Sequence, residues 1–180
     1  AQLQYTDTAS VVSGVSLHAP TGASATAGSH TITGTAGTAA NYDMTLVDGT
    51  LTVDKAALTV TANDARKVYG DADPALAYTV NAAQLKYTDA ASVVSSVNLS
   101  APTGAAATAG SHVVTATGGT AANYTVSTAN GTLVVDKAAL TVTAEDKSKT
   151  AGEADPVLTY AVLAAQLRYG DAPTVVHDVK

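Results

Sequence analysis

The stretch at residues 49–62 most constrains the fold of this chain, because it returns nearly unchanged at residues 131–144. Its apolar residues lie at odd positions before Asp54-Lys55 and at even positions after it. Side chains alternate between the two faces of a strand, so one uninterrupted strand cannot turn both apolar sets to the same core. We therefore interpret residues 54–56 and 136–138 as joints, where the last strand of one domain is followed almost directly by the first strand of the next.

An internal repeat with a period of 82 residues extends over the whole sequence, as the spacing of Tyr42 and Tyr124 illustrates. Aligned at this offset without a gap, about two thirds of the positions are identical. A repeat that lacks strands cannot complete its own core, so we expect the sequence to be a window on a longer tandem array. The predicted domains are the C-terminal part of one repeat at residues 1–55, a complete repeat at residues 56–137, and the N-terminal part of a further repeat at residues 138–180.

The composition favours strands and excludes several classes of partner. Threonine and valine are frequent, and both suit the half-buried surface of a pleated sheet. The chain has no cysteine, so no disulfide is expected. Its net charge of −6 argues against nucleic acid and anionic membrane, because both require clustered basic residues. No apolar run approaches the roughly 20 residues of a membrane-spanning helix, so membrane insertion is not expected.

Short strands separated by turn residues follow one another through the complete repeat. Strands are predicted at residues 57–62, 76–80, 97–100, 111–117, 123–127 and 132–136, with a short extended piece at residues 67–69. The last two are expected to form a hairpin across residues 128–131, with Gly118-Gly119 making the preceding turn. Thr88 or Asp89 is expected to cap one short helix that runs to Val94.

These features predict a mainly β fold, arranged as an elongated tandem array of β-rich domains. Each domain is either an immunoglobulin-like sandwich or a β-grasp-like sheet crossed by the short helix, with at most one short helix per repeat. Both alternatives are compatible with turn signals every ~8 to 12 residues.

The chain resembles the MBG/YDG-type repeats of very large bacterial surface and matrix adhesins. The resemblance is carried by residues 57–64, 68–74, 123–124 and 131–135, which combine Tyr-Gly-Asp, Asp-Pro and the last two predicted strands at fixed spacings. Many of these adhesins are similar to filamentous haemagglutinin and are exported by two-partner secretion. The resemblance implies a secreted or bacterial cell-surface location, a stalk function in adhesion or biofilm, and no enzymatic activity. One departure is that Tyr69-Gly70 becomes Ala151-Gly152 in the next repeat, which argues against this tyrosine as a ligand-binding residue.

Acidic side chains cluster around one predicted turn in each copy. They are Asp64, Asp71 and Asp73 in the complete repeat, and Asp146, Glu153 and Asp155 in the next. Calcium requires six to eight oxygen ligands from a converging loop. Because no known calcium-loop spacing is present, capping and turn formation are favoured over a calcium site, and no other cofactor is expected.

No catalytic residue is predicted. His30 and His112 follow serine at matching positions, but each is the only histidine of its predicted strand and a catalytic triad needs an oriented base and an oxyanion pocket. Gly118-Gly119 lacks the Gly-Lys-Ser/Thr that completes a phosphate loop. The histidines are therefore predicted to lie on strand surfaces.

The tyrosines recur in three registers and have two interpretations. A tyrosine can stack on a sugar ring, but without phenylalanine or tryptophan these side chains are also the only large aromatic residues for the core. Core packing is favoured. The registers are Tyr5, Tyr87 and Tyr169; Tyr42 and Tyr124; and Tyr78 and Tyr160.

The leading hypothesis is a non-enzymatic stalk, in which each domain adds about 30 Å and short joints limit bending between neighbouring repeats of the same chain. One alternative is a module that binds extracellular polysaccharide or glycan through weak contacts made strong by avidity. Another is self-association with like filaments through exposed sheet edges.

Overall fold

The computed structural model describes residues 6–177, and within them the regular structure is mainly β. Tyr5 lies outside the described residues. The strands in chain order are β1 Ser16–His18, β2 Gly28–Thr35, β3 Gly49–Val53, β4 Ala56–Ala62, β5 Ala65–Val68, β6 Tyr78–Val80, β7 Ser95–Ser100, β8 Gly110–Thr120, β9 Tyr124–Ala129, β10 Gly131–Asp136, β11 Val142–Ala144 and β12 Tyr160–Val162.

Helical structure in this part of the chain is limited to 3-10 turns of three residues. These turns are Ala9–Val11, Gly22–Ser24, Ala82–Gln84, Ala91–Val93, Gly104–Ala106, Ala164–Gln166 and Pro173–Val175. The predicted cap at Thr88 or Asp89 is wrong, because the turn at Ala91–Val93 follows Ala90 and has no side-chain cap. Asp89 instead accepts a hydrogen bond from the hydroxyl of Tyr124.

Among the described helices, none has the length and apolar character needed to cross a membrane.

Two sheets are formed by strands of the middle repeat. One has four strands in the order β5-β10-β8-β7, and the other has three in the order β6-β4-β9. In the first sheet β10 lies between two partners, pairing parallel with β5 and antiparallel with β8. Leu133 of β10 lies opposite Ala65 of β5 on one side and His112 of β8 on the other.

The predicted hairpin between β9 and β10 is wrong. The two strands are separated by Asn130 alone, whereas a tight hairpin needs a loop of at least two residues. They belong to different sheets, since both edges of β10 are occupied by β5 and β8. The side chain of Asn130 accepts a hydrogen bond from the backbone N–H of Ala116 at 3.1 Å, which satisfies this amide where the chain changes sheets.

The predicted turn at Gly118-Gly119 is also wrong, because both glycines lie inside β8. Their φ angles of 75° and 91° bend the strand, and a Cβ added at Gly118 would lie 2.6 Å from the carbonyl oxygen of Ser96. The chain reverses just after them, where Ala121 and Tyr124 form an isolated antiparallel bridge.

The chain divides into two compact units, each with its own hydrophobic core. One unit contains the described residues up to Val60 with Val80–Val97 and Gly118–Ser127, and the other contains Thr61–Thr79, Asn98–Thr117 and the described residues from Thr128 onward. The core of the first unit consists of Leu58, Val60, Val80, Val94 and Tyr124. The core of the second consists of Ala62, Ala107, Val114, Ala116, Leu133 and Val135.

The strand break predicted at the first joint is present, since β3 ends at Val53 and β4 begins at Ala56. At the second joint β10 ends at Asp136, but the next strand does not begin until Val142. The domain boundaries at residues 55–56 and 137–138 themselves stay a prediction.

The two partial repeats contain smaller sheets. In the first, β2 pairs antiparallel with both β1 and β3, giving the order β1-β2-β3. In the last, β11 pairs antiparallel with β12. These strands correspond in sequence to β7, β8, β10, β4 and β6 of the middle repeat.

Candidate functional site: the joints between repeats

Asn123 connects the first joint to the repeat before it. Its side-chain oxygen accepts a hydrogen bond from the backbone N–H of Ala27 at 3.1 Å, and its carbonyl oxygen accepts one from the N–H of Ala56 at 3.0 Å. The ammonium group of Lys55 also donates to the carbonyl oxygen of Ala121, at 3.4 Å. The link of residues 54–55 is thus flanked by hydrogen bonds rather than left as a free linker.

Tyr124 fixes the loop that faces this joint. Its hydroxyl donates to a carboxylate oxygen of Asp89 at 2.6 Å and accepts from the backbone N–H of Lys86 at 2.8 Å. The hydrogen bond to Asp89 raises the pKa of Tyr124, and burial raises it further. Tyr42 makes the equivalent bond to Asp7 at 2.7 Å in the first repeat. The loop at residues 86–89 is therefore held at both ends by one phenol group.

At both joints a tyrosine of the later repeat lies beside a glycine of the earlier one. A Cβ added at Gly22 would lie 4.0 Å from Cε1 of Tyr87, and one added at Gly104 would lie 3.9 Å from Cε1 of Tyr169. Both tyrosines have left-handed backbones, with φ of 53° and 50°. Such a conformation is unfavourable for a bulky residue and is typical of a position that the surrounding structure specifies.

These positions correct part of the prediction that the tyrosines form the core. Tyr124 is 3% exposed, which confirms core packing at this position. Tyr87 is 71% exposed and Tyr169 is 46% exposed, so core packing is wrong for these two residues. Tyr78 and Tyr160 are also more than one third exposed. Sequence reasoning missed the role of Tyr87 and Tyr169 at the joints, although the retention of Gly22 and Gly104 at the 82-residue period was a usable signal.

The second joint adds an aromatic contact from the Tyr-Gly-Asp turn. The rings of Tyr69 and Tyr169 meet edge to face, with centroids 5.5 Å apart and an interplanar angle of 72°. The hydroxyl of Tyr169 also donates to the carbonyl oxygen of Asp71 at 3.4 Å. Burial raises the pKa of Tyr69, and the nearby negative charge of Asp171 raises it further. The turn of the middle repeat thus contacts the tyrosine loop of the repeat that follows.

Gly70 allows this contact because it has no side chain. A Cβ added there would lie 2.4 Å from Cγ and 2.9 Å from Cβ of Arg168, so the arginine occupies the space that any other residue would need. The φ of Gly70 is +90°, which also favours glycine. Gly152, at the matching position of the next repeat, has φ of +92° but nothing within 4 Å of an added Cβ.

A buried ammonium group supports the turn from inside. The side chain of Lys67 is 3% exposed, and its Nζ lies 2.6 Å from a carboxylate oxygen of Asp73 and 3.4 Å from the carbonyl oxygen of Asp71. The other carboxylate oxygen of Asp73 accepts from the N–H of Gly104 at 3.3 Å. Asp73 therefore connects the turn to the same glycine that Tyr169 faces.

This ion pair stabilises both charged forms. The hydrogen bond to Asp73 raises the pKa of Lys67 above its usual 10.5, against the opposing effect of burial. The hydrogen bond from Lys67 lowers the pKa of Asp73 below its usual 3.8. Both groups are consequently charged across the neutral pH range.

Four carboxylates of the calcium hypothesis make protein contacts. Asp64 accepts from the N–H of Thr132 at 2.8 Å, Asp73 binds Lys67, and Glu153 accepts from the N–H of Thr150 at 3.2 Å. Asp155 pairs with Lys149. Asp71 accepts a hydrogen bond from Lys67 through its backbone carbonyl oxygen. Asp146 follows Glu145, whose carboxylate binds Lys147 and Thr159. Within residues 6–177, no three acidic or histidine side chains come together as a metal site. The calcium hypothesis stays a prediction.

The two matching histidines close local turns. His30 in β2 and His112 in β8 each place Nε2 2.6 Å from a carbonyl oxygen four residues earlier, that of Thr26 or Thr108. With the proton on Nε2, the ring donates to this carbonyl. Each histidine therefore has a structural partner within its own repeat.

Substituting the two turn glycines separates backbone strain from contact at the joint. Gly152→Ala is expected to lower the free energy of unfolding by about 1 kcal/mol, because alanine resists positive φ. Gly70→Ala is expected to lower it by about 1–3 kcal/mol more, because alanine also overlaps Arg168. Thermal or denaturant unfolding measures both, and NMR shifts of Tyr169 report on the joint. Equal losses in the two variants would show that Arg168 does not constrain Gly70.

The Lys67–Asp73 pair is expected to stabilise the folded state within a defined range of pH. The contribution of Asp73 to the free energy of unfolding is present above pH 3.8 and is lost as the pH falls through the lowered pKa of Asp73 in the folded state. That of Lys67 is present below pH 10.5 and is lost as the pH rises through its raised value. Asp73→Asn should therefore lower the melting temperature most near neutral pH, and the difference from the unchanged chain should shrink in acid.

The matched control is Asp155→Asn, because Asp155 pairs with a Lys149 whose side chain is 44% exposed. An exposed ion pair contributes little to stability, so this variant should melt close to the unchanged chain at every pH. A pH-independent effect of Asp73→Asn would contradict the assignment.

Comparison with known proteins places these features in a family. Residues 1–52, 58–134 and 140–180 each match the MBG domain (YGX type). No curated protein and no solved structure matches the chain. A Tyr-Gly-X pattern occurs at residues 69–71 and again at residues 169–171, the two segments whose tyrosine rings meet at the second joint. MBG domains are structural repeats that occur in surface proteins, and they are not a known enzyme family. The chain therefore belongs to the MBG domain family of the YGX type, which it matches in three successive segments.

Proposed function

We propose that these repeats are a non-enzymatic stalk of a secreted or cell-surface bacterial adhesin, acting in adhesion or in a biofilm matrix. The observation that carries the proposal is the construction of the joints. At each one, a tyrosine on a left-handed backbone lies beside a glycine of the preceding repeat. A spacer needs such contacts, because a free linker of the same length would let successive domains bend at random.

The family supports the non-enzymatic part of the proposal, since MBG domains are structural repeats. The partners of each repeat are in this view its neighbours in the same chain. The Tyr69–Tyr169 contact, the Tyr169–Asp71 hydrogen bond and the fit of Gly70 against Arg168 link the middle repeat to the next. Each of these contacts joins a repeat only to its neighbour. An additional repeat can therefore be added with the same contacts, and it increases the length of the array by one domain.

Solution scattering tests the stalk proposal directly. The 180-residue chain is compared with a chain that carries one further copy of residues 56–137, and the maximum dimension should rise by about 30 Å.

Tyr69→Ala should shorten the mean dimension and broaden the distance distribution, because a joint contact is lost. Tyr78→Ala is the control, since Tyr78 lies on β6 and is already 37% exposed. No increase with the added repeat would contradict the proposal.

A second candidate is a module that binds extracellular polysaccharide or glycan by avidity. It is favoured by Tyr78 and Tyr160, which occupy matching positions and are 37% and 39% exposed. Exposed aromatic rings at a regular spacing are suited to repeated weak stacking on sugars. Saturable glycan binding that is lost in a Tyr78→Ala, Tyr160→Ala double variant would favour this function over the stalk.

A further inference from the structure

The segments by which the chain enters and leaves the complete repeat pair with each other in one sheet. The chain enters through β4, which leads into β5, and it leaves through β10. β5 and β10 are parallel, with Ala65 opposite Leu133 and Val68 opposite Asp136. Tension at the joint before Ala56 therefore pulls β5 from its amino end, and tension at the joint after Asp136 pulls β10 from its carboxyl end. In a parallel pair these ends are opposite, so tension makes the two strands slide past each other.

Sliding loads a pair of strands differently from peeling. The hydrogen bonds of a parallel pair are evenly spaced along both strands. When the strands slide, all of these bonds carry the load together, whereas peeling breaks them one after another from one end. The tension that the repeat withstands therefore depends on how firmly β5 is held to β10.

Hydrogen bonds outside the strand pairing close both ends of the β5–β10 pair. Near the start of β10, the backbone N–H of Thr132 donates to a carboxylate oxygen of Asp64 at 2.8 Å. At the end of β10, the backbone N–H of Tyr69 donates to the carbonyl oxygen of Asp136 at 2.8 Å. Asp64 and Tyr69 flank β5 on its two sides, so each bond ties the entering segment to the leaving strand.

An ion pair crosses the same two strands. The Nε and Nη2 groups of Arg66 donate to the two carboxylate oxygens of Asp136, at 2.6 and 2.7 Å. A two-point pair of this kind fixes the geometry of both partners, so it opposes any shift of one strand along the other. The side chain of Arg66 is 70% exposed, so the pair contributes little to the free energy of unfolding. Its position across β5 and β10 nevertheless makes it part of the connection that tension must break.

The other face of the pair is buried in the core. Leu133 and Val135 of β10 are 1% and 2% exposed, and the side chain of Lys67 in β5 is 3% exposed. Protein interiors are close-packed, so a strand cannot slide without removing such side chains from their contacts. Sliding of β5 would also separate the buried ammonium group of Lys67 from Asp73.

We propose that β5, its flanking residues Asp64 and Tyr69, and β10 form a shear clamp, the part of the repeat that bears tension applied through its two joints. The proposal rests on the stalk function, because the load is tension carried along the array. The next repeat retains Asp64 as Asp146 but has Ser148 in place of Arg66. The ion pair is therefore a feature of the middle repeat, and serine is a residue that this position accepts elsewhere in the chain.

Single-molecule force spectroscopy of the full 180-residue chain tests the clamp. The chain has no cysteine, so two introduced cysteines are unique points of attachment. Ala57→Cys with Lys137→Cys pulls the clamp from opposite ends, and Ala72→Cys with Lys137→Cys pulls it from the same end; all three positions are exposed. At the same constant force, the lifetime of the folded repeat should be about tenfold longer or more in the first geometry, because several hydrogen bonds must break together.

Variants pulled in the first geometry test the individual contacts. Arg66→Ser should shorten the lifetime by about 2- to 5-fold, the range expected from the loss of one exposed ion pair. Asp64→Ala should also shorten it, because the N–H of Thr132 loses its acceptor. The matched control is Ser95→Ala, since Ser95 makes an exposed side-chain hydrogen bond with Thr120 at 3.0 Å that joins β7 to β8 outside the clamp. This variant should keep the lifetime of the unchanged chain.

Equal lifetimes in the two pulling geometries would overturn the proposal, and so would an effect of Arg66→Ser no larger than that of Ser95→Ala. The force is applied within one repeat, so neither result depends on whether successive repeats form a stalk. An added repeat that leaves the maximum dimension in solution scattering unchanged would instead contradict the stalk and leave these lifetimes as they are. The failure of one proposal is therefore distinguishable from the failure of the other.

Discussion

The ion pair between Lys67 and Asp73 is the interaction on which the second joint depends. An ammonium group with a side chain that is 3% exposed must be paired, because an uncompensated buried charge is strongly destabilising. The pairing fixes both ends of the Tyr-Gly-Asp turn: Lys67 also donates to Asp71, and Asp73 accepts from Gly104. The turn then presents Tyr69 to the next repeat in one orientation.

The same physical logic applies at the tyrosine loops. The hydroxyl of Tyr124 binds Asp89 and Lys86 and so holds the loop at residues 86–89. Tyr87 lies within this loop and has an unfavourable left-handed backbone. The equivalent Tyr169 has the same backbone, so the conformation belongs to the repeat and not to one copy. Small residues opposite, Gly22 and Gly104, leave room for the ring. Each joint thus combines a tyrosine on a left-handed backbone with a glycine that cannot obstruct its ring.

Much of the fold could be predicted from the sequence, because periodicity is a local signal. The β-rich class and the strand break between Val53 and Ala56 follow from repeats and alternation, and the family was indicated by the resemblance of its motifs. The pairing of β9 and β10 could not be predicted in this way, because the choice between a hairpin and two sheets depends on which distant strands already occupy β10. Parallel pairing of β5 with β10 is likewise a contact between residues far apart in the chain.

The joints were only partly predictable for the same reason. The strand break at the first joint follows from the change in parity of the apolar residues, but the contacts at the joints do not. Tyr169 meets Tyr69 across 100 positions of sequence, and one copy of a repeat gives no indication that its exposed tyrosine faces the previous copy. The position of Gly70 against Arg168 explains why the turn contains glycine, and this reason is visible only in three dimensions.

The most direct test of the central claim, that the Tyr-Gly-Asp turn docks on the next repeat, is a double-mutant cycle with Tyr69→Ala and Tyr169→Ala. The account predicts that unfolding free energies give a coupling of about 0.5–1.5 kcal/mol, the range of an edge-to-face aromatic pair. A control cycle with Tyr69→Ala and Tyr160→Ala should be additive, because no ring contact joins those two residues among the described contacts. Additivity of the Tyr69 and Tyr169 substitutions would contradict the account.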